Sequence, residues 1–120
     1  MKRTVLIADD AAFMRMMLKD ILTRAKYEVV GEAANGKEAV DLQSQLRPDL
    51  TLLDITMPEK DGQQALKEIL ALDPGATVIM IAAMGEENRA LLCTRDGAEG
   101  FLSKPFQEKR VLDNLKKILG

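Results

Sequence analysis

Five short apolar runs alternate along this chain with five segments of helical periodicity, and this alternation is the strongest constraint on its fold. Most of the runs are continuously apolar, which is typical of parallel strands buried on both faces of a sheet. Short βα units of this kind connect through right-handed crossovers. We therefore predict an α/β protein with a doubly wound five-stranded parallel sheet and five helices. The strands are predicted at Thr4–Ala8, Glu28–Ala33, Leu50–Leu53, Thr77–Ala82 and Gly100–Ser103.

The helical segments are amphipathic, with punctuation that marks their ends. In the first, Leu18 and Ile21 fall on one face. Asp61 is a plausible N-cap for the third helix, and Pro48 follows the end of the second. The predicted helices cover Ala12–Ala25, Lys37–Leu46, the residues from Asp61 to just before Asp73, Glu87–Asp96, and a final amphipathic stretch that includes Val111–Leu119.

Charged residues stand at the ends of three of the predicted strands. Asp9 and Asp10 end the first run, Asp54 ends the third, and Lys104 ends the fifth. In a parallel sheet these ends share one edge, where ligands bind. Two like charges 4 Å apart repel by about 4 kcal/mol at an effective dielectric constant of about 20. Since Mg²⁺ favours a few carboxylates together with water and phosphate oxygens, the cluster predicts a site for a divalent cation and a phosphoryl group. The alternative is that these aspartates only cap the helices that follow them.

Composition narrows the chemistry further. The 120 residues contain no histidine, which excludes Ser-His-Asp and Cys-His hydrolases, histidine-liganded zinc and a phosphohistidine intermediate on this chain. A net charge of −2 and an aromatic content of 3% argue against nucleic acid and anionic membranes as partners. The lone Cys93 cannot form an internal disulfide, so we expect a cytoplasmic protein. The length predicts a single domain over residues 1–120.

Several motifs resemble those of one family. Leu6–Asp10 matches an acidic pair after a first strand, Leu52–Gly62 matches a phosphoacceptor strand and its loop, and Gly97–Phe106 matches a last strand with its Lys-Pro pair. The chain resembles the receiver domains of bacterial response regulators over essentially its whole length. Asp9–Arg15 is similar to the stand-alone chemotaxis regulators in particular. The resemblance implies a flavodoxin-like fold with strand order 2-1-3-4-5.

The resemblance also implies a role for each strand-end residue. Asp54 would accept a phosphoryl group from the phosphohistidine of a partner histidine kinase. Asp10, Asp54 and the backbone carbonyl of Thr56 would ligate Mg²⁺, with Asp9 acting mostly through water. Lys104 would contact the phosphoryl oxygens. Such a protein accepts a phosphoryl group and slowly loses it, and is not a turnover enzyme.

The chain departs from the family at the end of the fourth strand. Receivers carry a serine or threonine there, which reaches the phosphoryl group and couples it to an aromatic residue on the last strand. Here the position is Ala82, followed by the expected small Ala83, and Phe101 is the aromatic residue. A hydrogen bond to a charged group is worth about 1.5–3 kcal/mol. We therefore expect phosphorylation to be retained and switching to be weaker or slower.

Partners and alternatives follow from the same residues. We expect a monomer whose fourth helix, fifth strand and fifth helix meet an output protein, in chemotaxis a flagellar motor switch. Ala82 leaves open a degenerate receiver that binds partners without phosphorylation. Asp54-Ile55-Thr56 faintly resembles the nucleophile motif of Mg²⁺-dependent phosphatases of the haloacid dehalogenase type, but the adjacent aspartates and the short chain argue against it.

Four minor expectations concern packing and backbone. Leu91 and Leu92 are expected to be largely packed, with the alternative that one of them is exposed and suits a partner or a receiver dimer. The methionines of the first helix are expected to lie in the core. Cys93 is expected to be buried. The Lys104–Pro105 bond can be cis or trans on sequence grounds, and a cis bond would aim the lysine inward. The three methionines are Met14, Met16 and Met17.

Overall fold

In the computed structural model, which describes residues 2–120, five strands alternate along the chain with five helices. The strands form one parallel sheet, in which they lie in the order second, first, third, fourth, fifth. This confirms the predicted fold class and strand order. Predicted and observed bounds differ by one residue at several ends; Asp54, for instance, is the last residue of the third strand. The elements are β1 (Thr4–Ala8), α1 (Ala12–Arg24), β2 (Glu28–Ala33), α2 (Gly36–Leu46), β3 (Leu50–Asp54), α3 (Gly62–Leu72), β4 (Val78–Ala82), α4 (Glu87–Arg95), β5 (Gly100–Ser103) and α5 (Glu108–Leu119).

The register of the central strands sets the edge where the site lies. Ala8 pairs with Leu53 across β1 and β3, and Asp54 pairs with Ile81 across β3 and β4. Ala82 in turn pairs with Ser103 of β5. The carboxyl ends of these four strands are therefore level, and the residues that follow them meet at one edge.

Helices cover both faces of the sheet, which explains why the strand sequences are continuously apolar. On one face, α2, α3 and α4 pack on side chains that include Leu53 and Met80. On the other face, α1 and α5 pack on Ile7, Leu52 and Ile79. Each of these five side chains is fully buried, and complete burial of such a side chain contributes about 1.5–3 kcal/mol.

The expected packing of Leu91 and Leu92 was wrong. Leu91 is 54% exposed and Leu92 is 46% exposed, while their neighbours Ala90 and Cys93 are buried. Ala90 and Cys93 are three residues apart and share the face of α4 that contacts the sheet, so the two leucines between them point away from it. The expected burial of Cys93 is confirmed.

The methionines of α1 do not all lie in the core. Met16 is 64% exposed and Met14 and Met17 are half-buried, so the core interpretation was wrong for Met16. The inward face of α1 is taken by Leu18 and Ile21 together with Leu22. At about 100° per residue, Met16 lies far around the helix from Leu18.

The Lys104–Pro105 peptide bond is cis.

Within residues 2–120, no helix combines the length and the apolar composition that a bilayer crossing requires.

Gly62 lets α3 begin directly against the backbone of the strand that carries Asp54. Its N–H donates to the carbonyl of Ile55 at 2.6 Å, and the Asp61 side chain caps the helix by accepting from the Gln64 N–H at 2.9 Å. A Cβ at Gly62 would stand 1.9 Å from the Asp54 carbonyl oxygen, closer than any real Cβ contact. Only glycine permits this approach, which fixes the loop between Asp54 and α3.

We predict that Gly62→Ala lowers the free energy of unfolding by about 1–3 kcal/mol, because the steric overlap outweighs the roughly 1 kcal/mol that alanine normally gains over glycine in a helix. Urea unfolding followed by circular dichroism measures the change. Gly100→Ala is the matched control, since a Cβ there has no atom within 4 Å. Equal stability of the two variants would contradict the steric explanation.

Candidate functional site

Three carboxylates meet at the carboxyl edge of the sheet. Asp9 and Asp10 follow β1, Asp54 ends β3, and one carboxylate oxygen from each lies within 4.8 Å of the others. Asp9 is fully buried and Asp54 is 3% exposed, whereas Asp10 is exposed. The structure thus brings together the three acidic residues that the sequence placed at strand ends.

Hydrogen bonds hold Asp9 in place. Its Oδ1 accepts from the Ala11 N–H at 2.9 Å, and its backbone carbonyl accepts from Arg15 Nη1 at 2.6 Å. Arg15 is itself anchored by Glu32 at 3.1 Å. The other carboxylate oxygen, Asp9 Oδ2, is buried and makes no hydrogen bond with any residue in the range 2–120. A buried, unsatisfied carboxylate oxygen is unfavourable unless a cation or donor reaches it.

Lys104 brings one positive charge to the cluster from the end of β5. Its Nζ lies 3.1 Å from Asp9 Oδ2, an ion-pair contact without hydrogen-bond alignment, and 3.4 Å from Asp54 Oδ2. Its backbone N–H donates to the Ala82 carbonyl at 2.9 Å, which fixes the start of the side chain. Burial opposes the charge of Lys104, but the Asp9 and Asp54 carboxylates raise its pKa above the ordinary value.

The pKa of Asp54 is shifted by its burial and by the charges of the cluster. Burial first, and then the charge of Asp9, raise its pKa from 3.8 to about 7, although Lys104 acts in the opposite direction. A bound divalent cation would favour the ionised carboxylate and would also satisfy Asp9 Oδ2. Oxygen donors of this kind are the ligands of hard cations such as Mg²⁺. The residues present therefore fit a hard divalent cation, which the sequence predicted here.

The other predicted site residues lie around this cluster. Thr56 is exposed in the loop two residues beyond Asp54, and Ala82 is fully buried at the end of β4, next to the partly exposed Ala83. Phe101 lies opposite Met80 in the β4–β5 register and packs half-buried against the core beneath α2, α3 and α4. It therefore belongs to the packing behind the site and not to the carboxylate cluster.

Glu86 is a residue of this region that the sequence analysis missed. Its Oε1 accepts from the Ala83 N–H at 2.7 Å, and its Oε2 accepts from the Thr56 hydroxyl. Burial opposes ionisation of Glu86, yet these two hydrogen bonds and the charges of Arg89 and Lys104 lower its pKa. A single acidic residue at the start of a helix normally suggests only a favourable interaction with the helix dipole. No sequence pattern therefore pointed to the contact between Glu86 and Thr56.

We predict that Asp54→Asn stabilises the metal-free protein more at about pH 8 than at about pH 5. Because the folded-state pKa of Asp54 is raised, its protonated form contributes stability that is present below pH 4 and is lost as the pH rises through about 7. Asparagine removes that loss, so we expect a gain of about 1–3 kcal/mol at the higher pH and a smaller gain at the lower pH.

Urea unfolding in the presence of a chelator measures both values. Asp10→Asn is the control, because Asp10 is exposed and is the smallest of the influences on the pKa of Asp54. The same stability gain for Asp54→Asn at both pH values would contradict the assigned pKa shift.

Comparison with known proteins identifies the family. Residues 5–116 match the family model of the response regulator receiver domain. The chain is 52% identical to the chemotaxis protein CheY of Thermotoga maritima over 118 residues, covering 98% of each protein. It is 50% identical to CheY of Bacillus subtilis over 119 residues, covering 99% of each.

Solved structures agree with this assignment. The chain superimposes on a protein of the CheX–CheY–BeF3–Mg complex from Borrelia burgdorferi with a TM-score of 0.94 at 36% identity, covering 98% of this chain and 90% of that one. The receiver domain of Thermotoga maritima CheB gives a TM-score of 0.90 at 34% identity, covering 99% and 97%. With the strand order, the acidic cluster and the lysine after β5 all in place, this chain belongs to the response regulator receiver domain family.

Proposed function

We propose that this receiver domain is the phosphoacceptor of a two-component chemotaxis pathway, with Asp54 as the acceptor. The observation that carries the proposal is the approach of three carboxylates to within 4.8 Å, with the Lys104 ammonium beside Asp9 and Asp54. Relatives named as chemotaxis proteins, at about 50% identity over nearly the whole chain, support the pathway.

In the proposed transfer, a carboxylate oxygen of Asp54 attacks the phosphorus of a phosphohistidine on a partner kinase. The new O–P bond forms as the P–N bond breaks, and the imidazole leaves with the electron pair. Mg²⁺, held by Asp10, Asp54 and the Thr56 carbonyl with Asp9 acting mostly through water, would neutralise charge on the phosphoryl oxygens. Lys104 would exchange its contact with Asp54 for one with a phosphoryl oxygen.

Such a protein is labelled once per chain and then slowly loses the group to water, so it acts as a signalling protein and not as a turnover enzyme. In the output step, phosphorylation changes the surface formed by α4, β5 and α5. The exposed Leu91 and Leu92 lie on α4, and a groove of about 450 Å³ beside β5 is lined by residues that include Phe101 and Lys104. We propose that a monomeric receiver presents this surface to an output protein such as a flagellar motor switch.

A degenerate receiver that binds partners without phosphorylation is the second candidate. The observation that favours it is the buried methyl group of Ala82 at the end of β4, where other receivers carry a hydroxyl. The two candidates share the fold and the docking surface. They differ in whether Asp54 is labelled.

We predict that a small phosphodonor such as acetyl phosphate, with Mg²⁺, labels the wild-type protein with up to one phosphoryl group per chain and leaves Asp54→Asn unlabelled. Labelling should fall sharply with a chelator. Intact-protein mass spectrometry measures the added mass, and Asp41→Asn, a surface variant on α2, is a matched control expected to be labelled normally. Absence of label on the wild type would favour the degenerate receiver, and catalytic turnover of a small phosphate ester in place of stoichiometric labelling would favour a phosphatase.

We predict that Ala82→Thr strengthens the conformational response to phosphorylation without abolishing labelling. A restored hydrogen bond to the phosphoryl group is worth about 1.5–3 kcal/mol, which corresponds to a shift of about tenfold or more in the switching equilibrium. Nuclear magnetic resonance of the Phe101 ring and of the α4 amides reports the shift, and Ala82→Ser provides a smaller hydroxyl if threonine does not fit. An unchanged response in labelled variants would show that the missing hydroxyl is immaterial.

A further inference from the structure

Glu86 connects the two loops that flank the proposed phosphoryl position. Thr56, which donates its hydroxyl to one carboxylate oxygen, lies two residues beyond Asp54. Ala83, whose N–H donates to the other oxygen at 2.7 Å, directly follows Ala82 at the end of β4. One carboxylate therefore spans the loop after β3 and the loop after β4.

Glu86 is also the residue from which α4 begins. It is the N-cap of α4, and its own carbonyl accepts the first helical hydrogen bond, from the Ala90 N–H at 2.9 Å. One turn further along, Arg89 contacts the Thr56 hydroxyl at 3.4 Å and Asp61 at 3.2 Å. Any displacement of Glu86 therefore acts on the first turn of α4.

Charge determines how the contacts of Glu86 would respond to phosphorylation of Asp54. A phosphoryl group carries a charge of about −1.5 to −2 at pH 7. The Lys104 ammonium that contacts Asp54 at 3.4 Å also contributes to the lowered pKa of Glu86, so labelling of Asp54 would add negative charge to surroundings that Glu86 shares. Charges of like sign closer than the Debye length of about 8–10 Å repel one another with little screening when they are partly buried. The Thr56 hydroxyl and the Ala83 N–H are both donors that now serve Glu86, and phosphoryl oxygens on Asp54 would compete for them.

We propose that Glu86 is the positioning residue that couples the state of Asp54 to α4, bridging Thr56 and Ala83 in the unmodified protein and releasing them when Asp54 carries a phosphoryl group. This inference rests on the proposed function of Asp54. Because Ala82 at the end of β4 has no hydroxyl, Thr56 and Glu86 would couple the state of Asp54 to α4 in this chain. The short α4 buries only Ala90 and Cys93 among its residues, and it would be displaced when Glu86 releases Thr56 and Ala83.

Three variants separate the bond from the charge. Glu86→Ala removes the bridge, and Thr56→Val removes only the hydroxyl half of it. Glu86→Gln keeps the size but loses the charge, and its carbonyl oxygen can still accept from the Ala83 N–H while its NH2 group donates to the Thr56 hydroxyl oxygen. Glu87→Ala is the matched control, because it removes the same charge one residue further along without touching either loop.

The readout is the set of amide resonances of residues 87–95, recorded with and without beryllofluoride and Mg²⁺ as a phosphoryl mimic. Without the mimic, we expect the resonances of Glu86→Ala to lie closer than those of the wild type to the positions of the mimic-bound wild type. The expected size of the effect corresponds to a shift of about tenfold in the equilibrium between two α4 positions. Thr56→Val should move them less in the same direction. Glu86→Gln should start at the wild-type positions and respond to the mimic by about half or less, because a neutral amide is not repelled.

The proposal is overturned if the α4 resonances of Glu86→Ala stay at the unmodified wild-type positions, or if Glu87→Ala moves them equally. A wild-type response retained in Glu86→Gln would overturn the charge-driven release. If Glu86→Ala does not fold, Thr56→Val and Glu86→Gln decide the matter. Labelling of wild-type Asp54 is measured in parallel, so an unlabelled wild type defeats the proposed function, whereas a labelled wild type with an insensitive α4 defeats only the role of Glu86.

Discussion

The contact among Asp9, Asp54 and Lys104 is the interaction on which the rest of this site depends. Parallel strand order brings the three aspartates to one edge, where one carboxylate oxygen from each lies within 4.8 Å of the others and like charges repel. One ammonium, 3.1 Å and 3.4 Å from two of the carboxylates, compensates part of that repulsion. Burial and the remaining repulsion from Asp9 raise the pKa of Asp54 to about 7, and Asp9 Oδ2 makes no hydrogen bond within residues 2–120. A divalent cation and a phosphoryl group are the ligands that such an edge favours.

The two sides of this edge differ in rigidity. Asp54 ends a strand that is buried throughout, and Gly62 brings α3 onto its backbone so closely that no side chain fits between them. The opposite side is held by α4, a helix of 9 residues that buries only small side chains and exposes Leu91 and Leu92. Elements with few buried apolar contacts open at lower free energy than the core. The fold thus sets a rigidly held Asp54 on one side of the edge and a helix that is more easily displaced on the other.

Particular residues show how far the sequence could be interpreted. The strands could be predicted because strands buried on both faces have continuously apolar sequences such as Val5–Ala8. The acidic site could be predicted because its residues lie at strand ends. Leu91 and Met16 were misjudged, since weak amphipathicity does not fix which way a helix faces the sheet. Glu86 was missed because its partners, Thr56 and Ala83, belong to two loops that only the folded sheet brings together.

The sequence by itself determined the fold class, the edge of the sheet that holds the site and the identities of Asp9, Asp10, Asp54 and Lys104, because periodicity and strand-end charges are local properties of the chain. Only the tertiary structure decided how those charges balance, since burial and distance set the pKa of Asp54 and place the Lys104 ammonium 3.1 Å from the buried Oδ2 of Asp9. It also decided the bridge through Glu86, because a hydrogen bond between loops depends on packing that no local pattern encodes.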